Sequence, residues 1–286
     1  MKIIRVIYYT QTGQLKQILD SMLSPLAGNP DFGIDFLEIK PVRPFPFPWT
    51  RRNFLDAFPE TRMETPIALQ PISCTNHGPC DLVILAFQPW YLSPSPPIAS
   101  FLKGPDAGVI LKDVPVLTVI GSRNMWQGAL VRVQEMVLAC GGRLCGNIAF
   151  NDRAPNLVSA VTIVYWMFTG RKDRLLGLFP RPGISDADIA AASGFSQMIA
   201  SALSGNRLDQ LAHALEKMGA AEINESLARL ENRARKIFGL WAKFIINHPN
   251  QRSRLLNVFF VELLLALVFV SPMNSLLGRI MKLVKK

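Results

Sequence analysis

Residues 3–23 read IIRVIYYTQTGQLKQILDSML, and the fold class turns on this stretch. Ile3–Tyr9 is a short, β-rich apolar run, as a buried parallel strand requires. Thr10–Gln14 is a polar turn. Leu15, Ile18, Leu19, Met22 and Leu23 then recur on one helical face. A buried strand, a short polar turn and an amphipathic helix form the opening unit of a parallel α/β sheet.

The same rhythm continues along the chain. Gly33–Ile39, Asp81–Phe87 (DLVILAF), Val114–Gly121 and Arg143–Phe150 read as four more strands, and Gln127–Cys140 as an amphipathic helix closed by Gly142. The expectation is a doubly wound, five-stranded parallel sheet complete by about residue 150. Pro41–Pro48 (PVRPFPFP) excludes a helix interior or a central strand, and Asn53–Phe58 is at most a short helix. Beyond the sheet, Leu157–Thr169 is apolar and aromatic, Gly177–Ile184 is a Pro/Gly loop, and Ser185 with Asp188 reads as a helix cap. Arg207–Lys236 reads as one amphipathic helix. The implied organisation is a sheet domain over 1–152, a helical extension over 153–250 and an apolar, basic tail over 251–286.

With 286 residues, 49% hydrophobic and only 18% charged, the chain is neither disordered nor solvating, and it can bury a core without staples. Its net charge of +10 is uneven. Residues 229–286 hold eleven cations and two anions, a net +9, so the first 228 residues are nearly neutral. In this tail Leu255–Val270 has one charge, Glu262, with Arg252 and Arg254 before it and Arg279, Lys282, Lys285 and Lys286 after it. Three readings stay open: a monotopic anchor on an anionic membrane surface, a true span, and a buried helix or oligomer interface. Cations flanking an apolar run suit lipid rather than a phosphate backbone, so no nucleic acid is expected. No secretory signal precedes the four cysteines. The expected compartment is reducing and cytoplasmic, peripheral or monotopic on the inner face of a bacterial plasma membrane. Cys74, His77 and Cys80 lack a second ligand pair, so no metal is expected.

Thr10-Gln11-Thr12-Gly13-Gln14 sits where the first strand meets the first helix. Orphan N–H groups and the helix dipole converge there on an anion, and glycine lets the backbone approach it. There is no P-loop lysine and no GxGxxG, which argues against nucleoside triphosphates and Rossmann dinucleotides. The loop resembles the phosphate loop of flavodoxin-like proteins, which holds the monophosphate of FMN. Two more loops belong at the carboxyl ends of the strands, where doubly wound sheets bind ligands. They are Gln88-Pro89-Trp90-Tyr91-Leu92 after the third strand and Gly121-Ser122-Arg123-Asn124-Met125-Trp126 after the fourth. Their aromatic rings next to a phosphate cradle suit an isoalloxazine. All the named positions of these three loops except Ser122 are expected to bind FMN.

Several stretches make the resemblance specific: VIYYTQTGQLKQILDSMLSPL, PFPFPWT, FPE, FQPWYLSPSPP, GSRNMW, NLVSAVTIVYWMFTGRKDR and FPRPGISD, between residue 6 and about residue 189. The chain resembles the flavodoxin-like family of dialkylresorcinol biosynthesis, known as dialkylresorcinol condensing enzyme or aromatase. The resemblance implies FMN-dependent aromatisation of a 2,5-dialkylcyclohexane-1,3-dione, beside a ketosynthase that makes the ring. No cysteine has a plausible histidine partner among His77, His213 and His248, so condensation by this chain is not expected. Tyr91 is the candidate to hydrogen-bond or relay at the dione, and Arg123 to stabilise its enolate or the reduced flavin. Glu60 and His77 are weaker candidates for a base. Pro41–Trp49 and Leu157–Thr169 supply apolar material for two alkyl chains. The alternatives are a flavin-dependent NAD(P)H:quinone reductase and a non-catalytic, membrane-recruited ketosynthase partner. A homodimer is compatible with either.

Overall fold

A computed structural model describes residues 1–72 and 78–266. Five strands form the sheet: β1 (Lys2–Tyr8), β2 (Phe32–Glu38), β3 (Leu82–Phe87), β4 (Pro115–Ser122) and β5 (Arg143–Asn151). They pair in the order β2-β1-β3-β4-β5, all parallel, which is the flavodoxin-like order. The central strand β3 is buried along its whole length, as expected where helices cover both faces.

Alternation along β1 divides the core in two. Ile4, Val6 and Tyr8 face α1 (Gln14–Leu23), while Ile7 and Tyr9 face the side covered by α4 (Pro96–Lys103), α5 (Pro105–Leu111) and α6 (Gln127–Ala139). Gly141, with φ of 80°, takes the left-handed position after α6, where Gly142 was expected to close it. The α1 face is completed from beyond residue 152. Ile199 and Leu203 of α9 (Ser196–Ser204) and Leu211 and Leu215 of α10 (Leu211–Lys217) are buried there, beside Ile184 and Ala192. The helical extension thus supplies one wall of the sheet's own core. Ser185 caps α8 (Asp186–Ala191) by accepting the Asp188 N–H at 3.0 Å.

The helix expected over Arg207–Lys236 is instead α10 and α11 (Glu225–Ile246). Gly219 at φ 68° ends the first, and Asn224 caps the second by accepting the Ser226 and Leu227 N–H groups. Leu157–Thr169 lies on α7 (Asn156–Thr169), which ends at left-handed Gly170. Two short helices, α2 (Arg51–Asp56) and α3 (Phe58–Arg62), follow the proline-rich loop.

α12 (Arg252–Leu265) is docked on this end of the molecule. Phe259 stacks on Phe58 at 3.9 Å and 7°, and Leu255, Leu256, Ala242 and Ile245 bury around the pair. Arg252 holds both Glu60 oxygens at 2.8 and 2.7 Å and donates to the Asp56 carbonyl at 2.7 Å. Among the described residues no helix is long and apolar enough to cross a membrane. The remainder of the apolar, basic tail lies outside the described residues.

Candidate functional site

A cavity of about 290 Å³ opens at the carboxyl ends of β1, β3 and β4. That is near the lower end of the small-ligand range. Thr12 from the β1–α1 loop, Trp90 after β3 and Arg123 after β4 all reach it, so the three loops singled out in the sequence do converge. Gln11, Gln14, Gln88, Pro89, Tyr91 and Gly121 also line it.

Polar side chains of the loops mostly build the cavity rather than face a ligand. Gln14 donates to the Ile184 carbonyl at 2.9 Å and accepts the Ile184 N–H at 3.0 Å. This closed pair ties α1 to the Gly183 turn, so the Gln14 side chain is not available to a phosphate. Gln11 accepts from the Tyr9 hydroxyl and donates to the Pro46 carbonyl at 2.9 Å, while its own N–H goes to Gln88 Oε1 at 3.2 Å. These bonds fix the loop against the proline-rich segment.

What remains open at the α1 end is backbone. Gly13 sits at φ 78°, a methyl group placed on its Cα would meet no atom within 4 Å, and no side chain caps the helix. The Gln17 N–H closes the first turn on the Gly13 carbonyl at 3.1 Å, and among the described residues no side chain caps the N–H groups before it. Thr10 Oγ1 is buried with no hydrogen-bond partner among the described residues. Uncapped donors, a left-handed glycine and an orphaned hydroxyl fit a bound phosphate monoester such as that of FMN.

The aromatic wall is wider than the loops themselves. Trp90 meets Tyr9, Phe45 and Trp49 edge-on, with centroids 6.0, 4.9 and 5.3 Å apart. Trp49 lines the cavity, and its buried indole nitrogen has no partner among the described residues. Its own backbone N–H is held by the Met167 carbonyl at 2.8 Å, which brings α7 to the site. Ile163, Trp166 and Met167 of α7 complete that side, with Phe54 of α2. Trp126 belongs elsewhere. It is 3% exposed in the core under α6, and it does not line the cavity. Thr10, Gly13, Leu92, Asn124 and Met125 are likewise not among the lining residues.

Tyr91 and Leu92 form the two-residue turn of a small hairpin, Pro89–Trp90 against Ser93–Pro94. Both have positive φ, 49° and 62°, where glycine or asparagine is usual. Strain of this kind gathers at functional sites. The Tyr91 hydroxyl, however, donates to the Phe54 carbonyl, and burial raises its pKa well above the ordinary tyrosine value. Packed against Phe54 and Phe58, Tyr91 locks the hairpin onto α2 and α3, with its hydroxyl proton committed to the Phe54 carbonyl.

Arg123 is the one cation in the lining among the described residues. Its Nη1 donates to the Asn156 carbonyl at 2.9 Å and to Asn156 Oδ1 at 2.8 Å, and Asn124 donates to the same Oδ1 at 2.7 Å. Burial lowers its pKa to about 10, with Asp152 opposing, so it stays charged at neutral pH. Among the described residues no carboxylate lies within close ion-pair distance of it, although Asp152 acts on its charge.

Of the weaker base candidates, Glu60 is spent on Arg252 and does not line the cavity. His77, like Cys74, lies outside the described residues. Cys145 is buried in the core, which pushes its thiol up to about 12, and Cys140 points at the Leu102 carbonyl at 3.3 Å. Residues that sequence reasoning missed at the cavity are Leu15, Phe54, Ser122, Gly183 and Ile184. Gly183 carries the only local signal. At φ 82°, a Cβ there would lie 2.7 Å from Gln14 Oε1 and 2.8 Å from Trp166.

No family model matches the chain, and no curated protein matches it. Among solved structures it is similar to a flavoprotein from Lactobacillus acidophilus NCFM in complex with FMN. Identity is 15% and the TM-score 0.43, over 52% of this chain and 93% of that one. It is also similar to a flavoprotein from Bacteroides eggerthii DSM 20697, at 16% identity and a TM-score of 0.41, over 53% and 89%. A flavodoxin from the domain Archaea is similar at 10% identity and a TM-score of 0.38, over 71% and 99%.

Proposed function

We propose that this chain binds FMN at the carboxyl end of its sheet and oxidises a cyclohexane-1,3-dione bearing two alkyl chains to a dialkylresorcinol. The observation that carries the reading is Arg123: a buried cation lining an aromatic cavity beside an uncapped helix N-terminus, hydrogen-bonded to Asn156 and, among the described residues, in no close ion pair, with Asp152 acting on its charge from farther away. Thr12 and the uncapped N–H groups of α1 would hold the phosphate of FMN, with the Thr10 hydroxyl as a further donor, and Trp90 and Gly121 of the lining would contact its ring system. When bound, FMN supplies a two-electron acceptor.

The ring must lose two electrons and two protons to become aromatic. A 1,3-dione is already acidic, so the site needs charge stabilisation more than a strong base. Arg123 provides it by holding the enolate oxygen, with Asn156 fixing the guanidinium. Trp49, Ile163, Trp166 and Met167 exclude water and take the alkyl substituents. A ketosynthase supplying the ring, and an anionic membrane surface met by the C-terminal segment, are the partners this reading implies.

Anaerobic mixing of the flavin-loaded protein with a synthetic 2,5-dialkylcyclohexane-1,3-dione tests it. The expected outcome is loss of the oxidised flavin absorbance with one resorcinol formed per flavin. A flavin that ignores the dione and is reduced rapidly by NADPH assigns the site to a quinone reductase instead.

A further inference from the structure

α7 carries no charged residue between Asn156 and Thr169. A helix apolar on every side is normally enclosed by protein or by lipid. Here only one side is enclosed. Ile163, Trp166 and Met167 face the cavity. Leu157, Val161 and Val164, spaced i, i+4, i+7, form an outward stripe and are 36%, 40% and 42% exposed.

The segment that follows α7 in the chain, Gly170–Arg181 (GRKDRLLGLFPR), adds further exposed apolar residues. Leu176 and Leu178 at its tip are 79% and 85% exposed. Leu176 and Gly177 are both left-handed, at φ 53° and 70°, so the chain turns sharply at the tip. Nothing among the described residues covers these leucines. Arg171, Lys172, Arg174 and Arg181 flank them in the sequence against one acid in the segment, Asp173, a net +3. Asp173 pairs with Arg171, and Asp186 of α8 lies 3.7 Å from Lys172 and 3.4 Å from Arg181.

We propose that the outer stripe of α7 and the Leu175–Phe179 tip dock on an anionic lipid surface. The leucines enter the acyl boundary and the segment's net positive charge, with Arg174 in no ion pair among the described residues, meets the headgroups. Exposed apolar side chains flanked in sequence by an excess of cations match the interface of a bilayer, which is apolar within and anionic at its edge. This surface belongs to a different part of the chain from the C-terminal segment and does not rest on the flavin reading.

Hydrogen exchange of the full chain tests the proposal, with vesicles of phosphatidylcholine alone and with added phosphatidylglycerol. Peptides over 170–181 are expected to slow only on the anionic vesicles. The double variant Leu176→Ser/Leu178→Ser should lose at least about tenfold in vesicle partitioning. Its flavin retention and melting temperature should not change, because both positions are exposed. If 170–181 exchanges freely on bound vesicles, with protection confined to residues beyond 251, the contact belongs to the C-terminal segment and the proposal fails. If the chain does not bind anionic vesicles at all, this surface and the terminal anchor fail together.

Discussion

Arg123 is the one cation lining the cavity among the described residues, and its hydrogen-bond partners there are the neutral oxygens of Asn156, with Asp152 acting on it only from farther away. An anion or enolate in the cavity would pair with that charge. Arg123→Gln keeps hydrogen-bonding capacity and removes the charge. It is expected to slow dione oxidation by about 10²-fold while leaving the melting temperature nearly unchanged, as steady-state rates and thermal melts will show. Thr12→Ala with Gly13→Ala is expected to release flavin on gel filtration. The glycine change costs only about 1 kcal/mol in backbone strain, since the position has open space around it. At this scale the loops were legible in the sequence, because polar and glycine residues at strand ends have a local cause. The fate of single side chains was not. Gln14 is taken by Ile184, which is 170 residues away, and the Tyr91 hydroxyl by Phe54. No local pattern encodes partners at such separations.

Two elements decide whether the site keeps its shape. Phe259 of α12 lies flat on Phe58, directly behind Tyr91. Phe259→Ala is expected to cost about 3–5 kcal/mol in denaturant unfolding and to loosen the strained hairpin. Glu231 of α11 is buried at the N-terminus of α6 and accepts the Gly128 N–H at 2.7 Å and the Gln127 N–H at 3.3 Å. Burial raises its pKa above the ordinary glutamate value, with those N–H groups and Arg235 opposing. The folded protein therefore binds this proton more tightly than the unfolded chain. Glu231 favours folding most at low pH, and that contribution declines as pH rises through its raised pKa. Glu231→Gln is expected to flatten this part of the stability curve, measured by urea melts across about pH 4–8, a window set by the direction of the shift. The five strands were readable to within two residues, since buried parallel strands are continuous apolar runs. The break between α10 and α11 was hidden by amphipathic periodicity on both sides of Gly219.

At the scale of the whole molecule, the segment beyond the sheet is part of the machine. α9 and α10 close one face, α7 walls the cavity, and α12 braces the hairpin from behind. A chain ending at Gln251 exposes Phe58 and frees Glu60. It is expected to melt several degrees lower and to lose flavin affinity, whereas a chain ending at Ala266 keeps both. Sequence composition placed the tail's charge and hydropathy but not this bracing, because Leu255, Leu256 and Phe259 look the same facing lipid or facing protein. The central claim is that the β1–α1 loop, the strained hairpin and Arg123 form an FMN site. The most direct measurement is FMN titration of the purified full-length protein, followed by flavin fluorescence and visible absorption. Saturable one-to-one quenching, abolished by Thr12→Ala/Gly13→Ala and weaker for riboflavin than for FMN, is the predicted result. A well-folded protein that leaves FMN fluorescence unchanged contradicts it.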